Sequence, residues 1–399
     1  MSDKQIKDVV VIGGGGHIGL PLSLVLAQKG FKVTALDLND KTVNQINDGV
    51  MPFLEDGADQ LLREVLSTGR FRASLDATLI IDADVVIVCI GTPVDEHMSP
   101  VPRIFTELLD SIKPYLNSNQ LLILRSTVYP GTTKLAARHL EDIGIHVAFC
   151  PERILQGKAI EELGTLPNIV SGTTKKAEKM AEAFFGKLGK VVLASVEEAE
   201  FAKLFLNTYR YIEFATTNQL FTIANDAGVD YARVLDIMKT DYPRAAKLPK
   251  PGLTAGPCLM KDTMQLVAYS QNRFSLGSAA FFANEGLALY LVESVMRESP
   301  RGLKVALLGM AFKGDNDDIR SSLSYRVKKA FLLAGAEVLT ADLNVKNDPN
   351  LITESEAIAL CDVVVICAPH SSYSLLDYKN KPVVDVWNIL GNGSLIKGS

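Results

Sequence analysis

The sequence predicts an α/β protein in which two doubly wound, Rossmann-like domains are joined by a central helical domain with a long spine helix. Three observations lead there. An apolar, β-branched run at Val9–Ile12 passes straight into four glycines, a helical pattern and a second strand pattern ending in Asp37. Strand and helix patterns of the same kind return after Gly302. Between them a helical pattern runs without interruption from Ser195 to Asp226. The expected divisions are 1–195, 196–299 and 300–399, with Ser299-Pro300-Arg301-Gly302 as the second linker.

Composition agrees with this size of fold. The 399 residues are 47% hydrophobic and 22% charged, enough to bury more than one core. A net charge of -5 with no long basic run argues against a nucleic-acid surface or a polybasic membrane patch. The five cysteines are an odd number, scattered and mostly inside strand-like runs, which suits a reducing compartment, so a cytoplasmic protein is expected. No CxxC, HxxxH or HExxH spacing points to a metal. Val9–Ala27 is the one stretch apolar enough to imitate a membrane span or signal peptide, but its glycines and the strand pattern after it oppose both readings.

Taken in order, Val9–Ile12 reads as a strand buried on both faces of a parallel sheet. Gly14-x-Gly16-His17-Ile18-Gly19 then opens a helix over Leu20–Lys29, and the strand Phe31–Leu36 delivers Asp37. Glycines in this context allow a tight turn, close approach of a pyrophosphate and helix-to-strand packing. Asp37 can accept hydrogen bonds from a ribose diol and would repel a 2′-phosphate, so the expected cofactor is NAD. A helical stretch is expected from Lys41 to Thr68. The strands Asp84–Ile90, Leu121–Leu124 and Val147–Cys150 end in Gly91-Thr92-Pro93, Arg125-Ser126-Thr127 and Pro151-Glu152-Arg153. Thr92, Thr127 and Glu152 thus stand at the carboxyl edge where ligands of such sheets bind, although polar residues there are also ordinary turn formers.

Ser195-Val196-Glu197-Glu198 is a capping box that starts the spine helix, and Gly228 stops it. Lys203 and Asn207, at i and i+4, form a polar pair among apolar neighbours; spacing alone favours a surface stripe with a snorkelling lysine. A short helix, Asp230–Lys239, leads through Asp241-Tyr242-Pro243-Arg244 to Pro251–Asp262, where small and turn-forming residues run into Cys258. Pro257 is expected at the first helical position and Cys258 in the first turn, where unpaired N–H groups favour a thiolate. Lys261 and Asp262 would share its helix face. A lone cysteine is otherwise a small buried hydrophobe. Another helix is expected over Leu276–Glu298. In the last domain, Ala336–Asn344 parallels Phe31–Asn39, but Gly309-Met310-Ala311-Phe312-Lys313 replaces the glycine motif.

The set of motifs resembles the UDP-glucose/GDP-mannose dehydrogenase family across nearly the whole chain: Gly14 to Pro21, Gly91-Thr92-Pro93, Ser126 to Thr132, Pro151-Glu152-Arg153, Lys203 with Asn207, Gly256-Pro257-Cys258 to Asp262, and Ala311 to Arg320. The resemblance implies oxidation of a sugar C6 alcohol to a carboxylate with two NAD and no metal. It implies Cys258 as nucleophile, Lys203 and Asn207 as oxyanion stabilisers, and Asp262 as the group that positions or activates water, with Thr127 and Glu152 organising the pocket. Lys313, Gly256 and Arg153 would meet the nucleotide sugar, Arg320 the cofactor, and Arg244 the active site of a neighbouring subunit in a dimer or larger homo-oligomer. Arg153 and Gln156, in place of the phenylalanine and second glutamate of the UDP-glucose type, are similar to the enzymes acting on UDP-N-acetylhexosamines, UDP-N-acetylmannosamine first among them; UDP-N-acetylglucosamine and UDP-glucose are the alternatives. Trp387 stands where the UDP-glucose type has arginine. A two-electron hydroxy-acid dehydrogenase would need neither Cys258 nor a third domain. A catalytically silent nucleotide-binding protein would have no use for Cys258, Lys203, Asn207 and Asp262 together.

Overall fold

The computed structural model describes residues 6–297 and 302–396. Of the linker expected at Ser299-Pro300-Arg301-Gly302, only Gly302 lies within the described residues. The chain forms two compact units, Met1–Leu206 and Asn207–Ser399, and the division falls within one long helix, Val196–Asp226.

The first unit holds an eight-stranded sheet: β1 (Asp8–Ile12), β2 (Lys32–Leu36), β3 (Phe71–Ser74), β4 (Val85–Val88), β5 (Leu121–Leu124), β6 (His146–Phe149), β7 (Asn168–Gly172) and β8 (Val191–Leu193). Their order is β3-β2-β1-β4-β5-β6-β7-β8, parallel except where β7 runs against β6. The first six strands have the 3-2-1-4-5-6 order of a dinucleotide fold, whose crevice opens where the order reverses between β1 and β4. Alternation along β1 divides the core: Val9 and Val11 pack with Leu20, Leu24 and Phe31, while Val10 and Ile12 pack with Val86, Phe105 and Leu109. With both faces covered, every residue of β4 and β5 is buried.

The helix expected over Lys41–Thr68 is two helices, Asp40–Asn47 and Ala58–Ser67. Gly49 and Gly57 adopt φ of 78° and 77°, and with Pro52 between them the helical ladder cannot continue. The break turns Glu55 inward, where its carboxylate accepts the N–H groups of Gly157 at 2.8 Å and Ala159 at 2.6 Å.

The long helix starts as its capping box predicts: Ser195 Oγ accepts from the Glu198 N–H at 3.2 Å, and the Glu198 carboxylate accepts from the Ser195 N–H at 2.7 Å. It ends before Gly228, whose φ is 71°. The second unit adds the helices Tyr231–Lys239, Leu259–Tyr269 and Ser275–Met296 and an all-parallel sheet of β9 (Lys304–Leu308), β10 (Glu337–Ala341), β11 (Val363–Ile366) and β12 (Val383–Val384), ordered β10-β9-β11-β12. Among the described residues no helix is long and apolar enough to cross a membrane.

Candidate active site

The glycine loop of the first unit is shaped by its neighbours. A methyl group at Gly14 would lie 2.6 Å from the Ala35 Cα on β2, and one at Gly19 would lie 2.2 Å from the Gly13 carbonyl. At Gly16 the nearest atom would be 3.4 Å away, an ordinary contact. Gly14 and Gly19 are thus required by the protein's own packing, whereas that packing leaves room for a methyl group at Gly16. Asp37, at the end of β2, accepts the Gly15 N–H at 2.9 Å and those of Leu38 and Asn39 at 2.8 and 3.1 Å. His17 stacks on Phe53 with ring centroids 4.0 Å apart, and Ile18 occupies the N-cap position of the helix Gly19–Gln28 without a side-chain cap. This cradle fits a dinucleotide.

At the carboxyl edge of the same sheet, Thr92 donates to the Thr127 carbonyl at 2.6 Å, so the two expected threonines meet. Glu152 is buried, with one oxygen bonded to the Arg125 guanidinium and the other accepting the Arg153 and Ile154 N–H groups at 2.7 and 3.1 Å. Arg125 itself is enclosed, donating to the Cys150 carbonyl at 2.9 Å and lying over the Phe185 ring. The Arg153 side chain bonds the Pro167 carbonyl. A second buried carboxylate, Glu200, accepts from Gly131 at 2.7 Å and Thr133 at 2.9 Å, capping the helix Thr132–His139 from the side. Glu200 precedes Lys203 by one turn on the long helix. Sequence reasoning passed over both Arg125 and Glu200; a charge inside an otherwise apolar strand end or helix face is the signal that could have found them.

The second unit carries Asn207, Arg244, Gly256, Cys258, Asp262, Lys313 and Arg320. Cys258 is exposed and serves as N-cap of the helix Leu259–Tyr269. The helix starts at Leu259, so Pro257 precedes it rather than opening it, and Cys258 stands at its mouth rather than in its first turn. The free N–H groups of that turn still begin next to the sulfur-bearing residue. The other four cysteines differ. Burial pushes the thiols of Cys89, Cys150 and Cys367 up to about 12 and raises that of Cys361. Asp262 is fully enclosed, with one oxygen accepting Asn207 Nδ2 and the other Lys261 Nζ, each at 2.5 Å. The stretch before Cys258 is braced from behind. Asn218 exchanges hydrogen bonds with both backbone groups of Gly252 at 2.8 and 3.1 Å, and Trp387 lies so close that a methyl group on Gly252 would fall 2.4 Å from its ring. Gly256 has φ of 104° and faces the Phe312 ring, which a methyl group would approach to 2.6 Å. Cysteine stretch and Phe312 loop are therefore in contact.

Arg320 grips Asp318 with both ends of its guanidinium at 2.7–3.0 Å, and Arg244 folds over the Tyr242 ring at 4.7 Å while exposed. The parallel between Asp37 and Asp342 holds in three dimensions. Asp342 accepts the Met310 and Ala311 N–H groups at 2.7 and 2.9 Å, as Asp37 accepts that of Gly15. Asp342 is buried, however, and His370 closes over it.

A dinucleotide cradle, an exposed cysteine at a helix mouth and a second parallel α/β sheet define an NAD-dependent dehydrogenase of nucleotide sugars. The NAD-binding, central and UDP-binding domain models of one family match residues 7–188, 197–284 and 306–392, and the chain belongs to that UDP-glucose/GDP-mannose dehydrogenase family. It is 32% identical to a UDP-N-acetyl-D-mannosamine dehydrogenase of Methanocaldococcus jannaschii, over 96% of this chain and 93% of that one. To an NDP-N-acetyl-D-galactosaminuronic acid dehydrogenase of Ralstonia nicotianae it is 27% identical, over 94% and 93%. Among solved structures, the UDP-D-ManNAc dehydrogenase of Pyrococcus horikoshii superposes with a TM-score of 0.86 at 28% identity, covering 93% of this chain and 91% of that one.

Proposed function

We propose that the protein oxidises the C6 alcohol of UDP-N-acetylmannosamine to the carboxylate in two hydride transfers, with Cys258 holding the carbon between them. The observation that carries the reading is that the one exposed cysteine of five stands at a helix N-terminus, beside a loop braced by Asn218 and Trp387. The glycine loop would hold NAD, which would supply the hydride acceptor, one NAD for each of the two transfers. The alcohol loses its proton to a base as the first hydride leaves, giving an aldehyde. The Cys258 thiolate adds to the aldehyde carbon, and the resulting thiohemiacetal loses a second hydride to become a thioester. Water then breaks the carbon–sulfur bond, releasing the acid and the thiol. Lys203 and Asn207 stabilise the oxyanions. Asp262, with both oxygens engaged, acts on water chiefly by fixing Asn207 and Lys261. Thr127 and Glu152 shape the loops around the sugar, and Gly256, Arg153 and Lys313 contact it.

In this reading residues 1–195 hold NAD, 196–299 pair subunits and 300–399 hold the UDP moiety. Subunit pairing is supported by apolar side chains left open on the helices, Tyr209 and Ile223 on one and Phe282 and Leu289 on another, with Phe282 71% exposed. Counting NADH formed per sugar consumed tests the reaction: two supports it, one makes the chain a two-electron dehydrogenase, and none makes it a binding protein. A panel of UDP-N-acetylmannosamine, -glucosamine and -galactosamine and UDP-glucose tests the substrate. The highest kcat/KM on any but the first overturns that assignment.

A further inference from the structure

We infer that His370 is a positioning residue for substrate binding: it holds the Lys313–Asp315 turn in place from the next loop of the C-terminal sheet. The inference rests on the proposed contact between Lys313 and the nucleotide sugar. His370 is fully buried and bonded on both ring nitrogens. Its Nδ1 lies 2.9 Å from the Asp315 backbone nitrogen and 3.1 Å from Asn344 Nδ2. Both partners are N–H donors, so Nδ1 must be the acceptor and the ring proton sits on Nε2, 3.1 Å from the Asp342 carboxylate. One imidazole thereby ties the Asp315 turn to the carboxylate that also gathers the Met310 and Ala311 N–H groups.

Two further contacts staple the same turn to the His370 segment. A methyl group on Gly314 would lie 2.2 Å from the Pro369 carbonyl, so backbone meets backbone there. The Asp315 carboxylate accepts the Ser371 N–H at 2.8 Å and the Ser371 hydroxyl at 3.0 Å. Asp315 also adopts φ of 51°, a left-handed conformation that a non-glycine residue keeps only when its surroundings impose it. Lys313 stands at the start of this fixed turn. A flexible four-carbon side chain gains binding strength when its backbone is already fixed, since less freedom is lost on meeting the ligand.

The test separates the two ring nitrogens. His370→Asn places an amide oxygen near the position of Nδ1 and can still accept from Asp315, whereas His370→Gln reaches Asp342 and offers Asp315 nothing. The expected result is a rise of about tenfold in KM for the UDP-sugar, and in the Kd of UDP, for His370→Gln, with KM for NAD and kcat unchanged. His370→Asn should stay within about twofold of wild type, the span of a retained hydrogen bond. Equal effects of the two variants, or a loss confined to kcat, overturn the inference. In a Lys313→Met background His370→Gln should add nothing further. If Lys313→Met alone leaves KM unchanged, it is the substrate role of Lys313 that has failed, and the inference falls with it. If Lys313→Met raises KM but His370→Gln does not, only the positioning role is wrong. Should His370→Gln not fold, Asp315→Gly removes the carboxylate that takes both Ser371 bonds while tolerating the left-handed φ, and an unchanged KM in that variant overturns the inference.

Discussion

Gly14 and Gly16 are two residues apart, yet a methyl group would fare differently at each. Gly14→Ala drives a carbon to 2.6 Å from the Ala35 backbone and should destabilise the first unit by about 1–3 kcal/mol, the usual cost of overpacking, visible in a urea melt without any ligand. Gly16→Ala meets nothing closer than 3.4 Å, so the melt should be unchanged while KM for NAD rises at least about tenfold. Equal melting losses would show that Gly16 too is bare for packing. The cysteines divide in the same way. With the thiols of Cys150 and Cys367 pushed up to about 12 by burial, brief treatment of the native protein with iodoacetamide should add one group, at Cys258. Cys258→Ser should still bind NAD and UDP-sugar but lose turnover by several orders of magnitude, because serine ionises poorly and is a poor acyl leaving group. Near-normal turnover would leave the cysteine a packing role. The glycine loop, Asp37 at the end of its strand and the place of Cys258 at a helix start were legible in the sequence because each depends on residue type in local order. Arg125, Glu200, Asn218 and His370 were not, because their partners lie 27, 67, 34 and 28 positions away, and such pairings exist only after folding.

Among elements, those with their own end signals match the sequence most closely. The capping box at Ser195 and the glycine at 228 delimit the long helix within a residue or two. The stretch after Asp40 misled because its apolar spacing runs on through residues 49–57, whereas the left-handed Gly49 and Gly57 with Pro52 between them break the ladder and turn Glu55 toward the N–H groups of Gly157 and Ala159. A helix capped from elsewhere has no local signal at all. Thr132–His139 follows Gly131, which offers no side chain, and takes its cap from Glu200. Glu200→Ala should therefore cost about 1–2 kcal/mol in a urea melt, as the loss of an N-cap does. A loss under a few tenths would mean water replaces the carboxylate without penalty. The loop after β9 makes a pH prediction. Burial would raise the Asp342 carboxyl, but the His370 N–H and the Ala311 and Asn344 backbone N–H groups outweigh it and bring it below the ordinary 3.8. A depressed folded value stabilises above the ordinary value and is lost as the pH falls through the lower one. Wild type should thus lose more stability than Asp342→Asn between pH 5 and about 2. Parallel losses would assign acid sensitivity to other carboxylates.

At the scale of the whole molecule, the question is whether one chain suffices. Arg244 lies in the short stretch between the helix ending at Lys239 and the cysteine loop, exposed and bound to Tyr242 through a 2.8 Å hydrogen bond and the ring face. A guanidinium spread over an exposed tyrosine keeps its outward N–H groups available for a phosphate or carboxylate. The helices Val196–Asp226 and Ser275–Met296 leave Ile223, Phe282 and Leu289 exposed, apolar area that a second copy could cover. If a second copy covers these helices and Arg244 completes its partner's site, Arg244→Ala and Cys258→Ala are each inactive for different reasons. A mixed dimer then contains one site with an intact cysteine served by an intact arginine. Mixing the two inactive proteins under conditions that exchange subunits should restore up to about a quarter of wild-type activity, since half the dimers are mixed and each mixed dimer has one good site of two. Exchange is verified independently by a mass-tagged chain. Complete exchange with no recovered activity would place Arg244 in the site of its own chain, and a sedimentation profile of monomers at working concentration would remove the partner altogether.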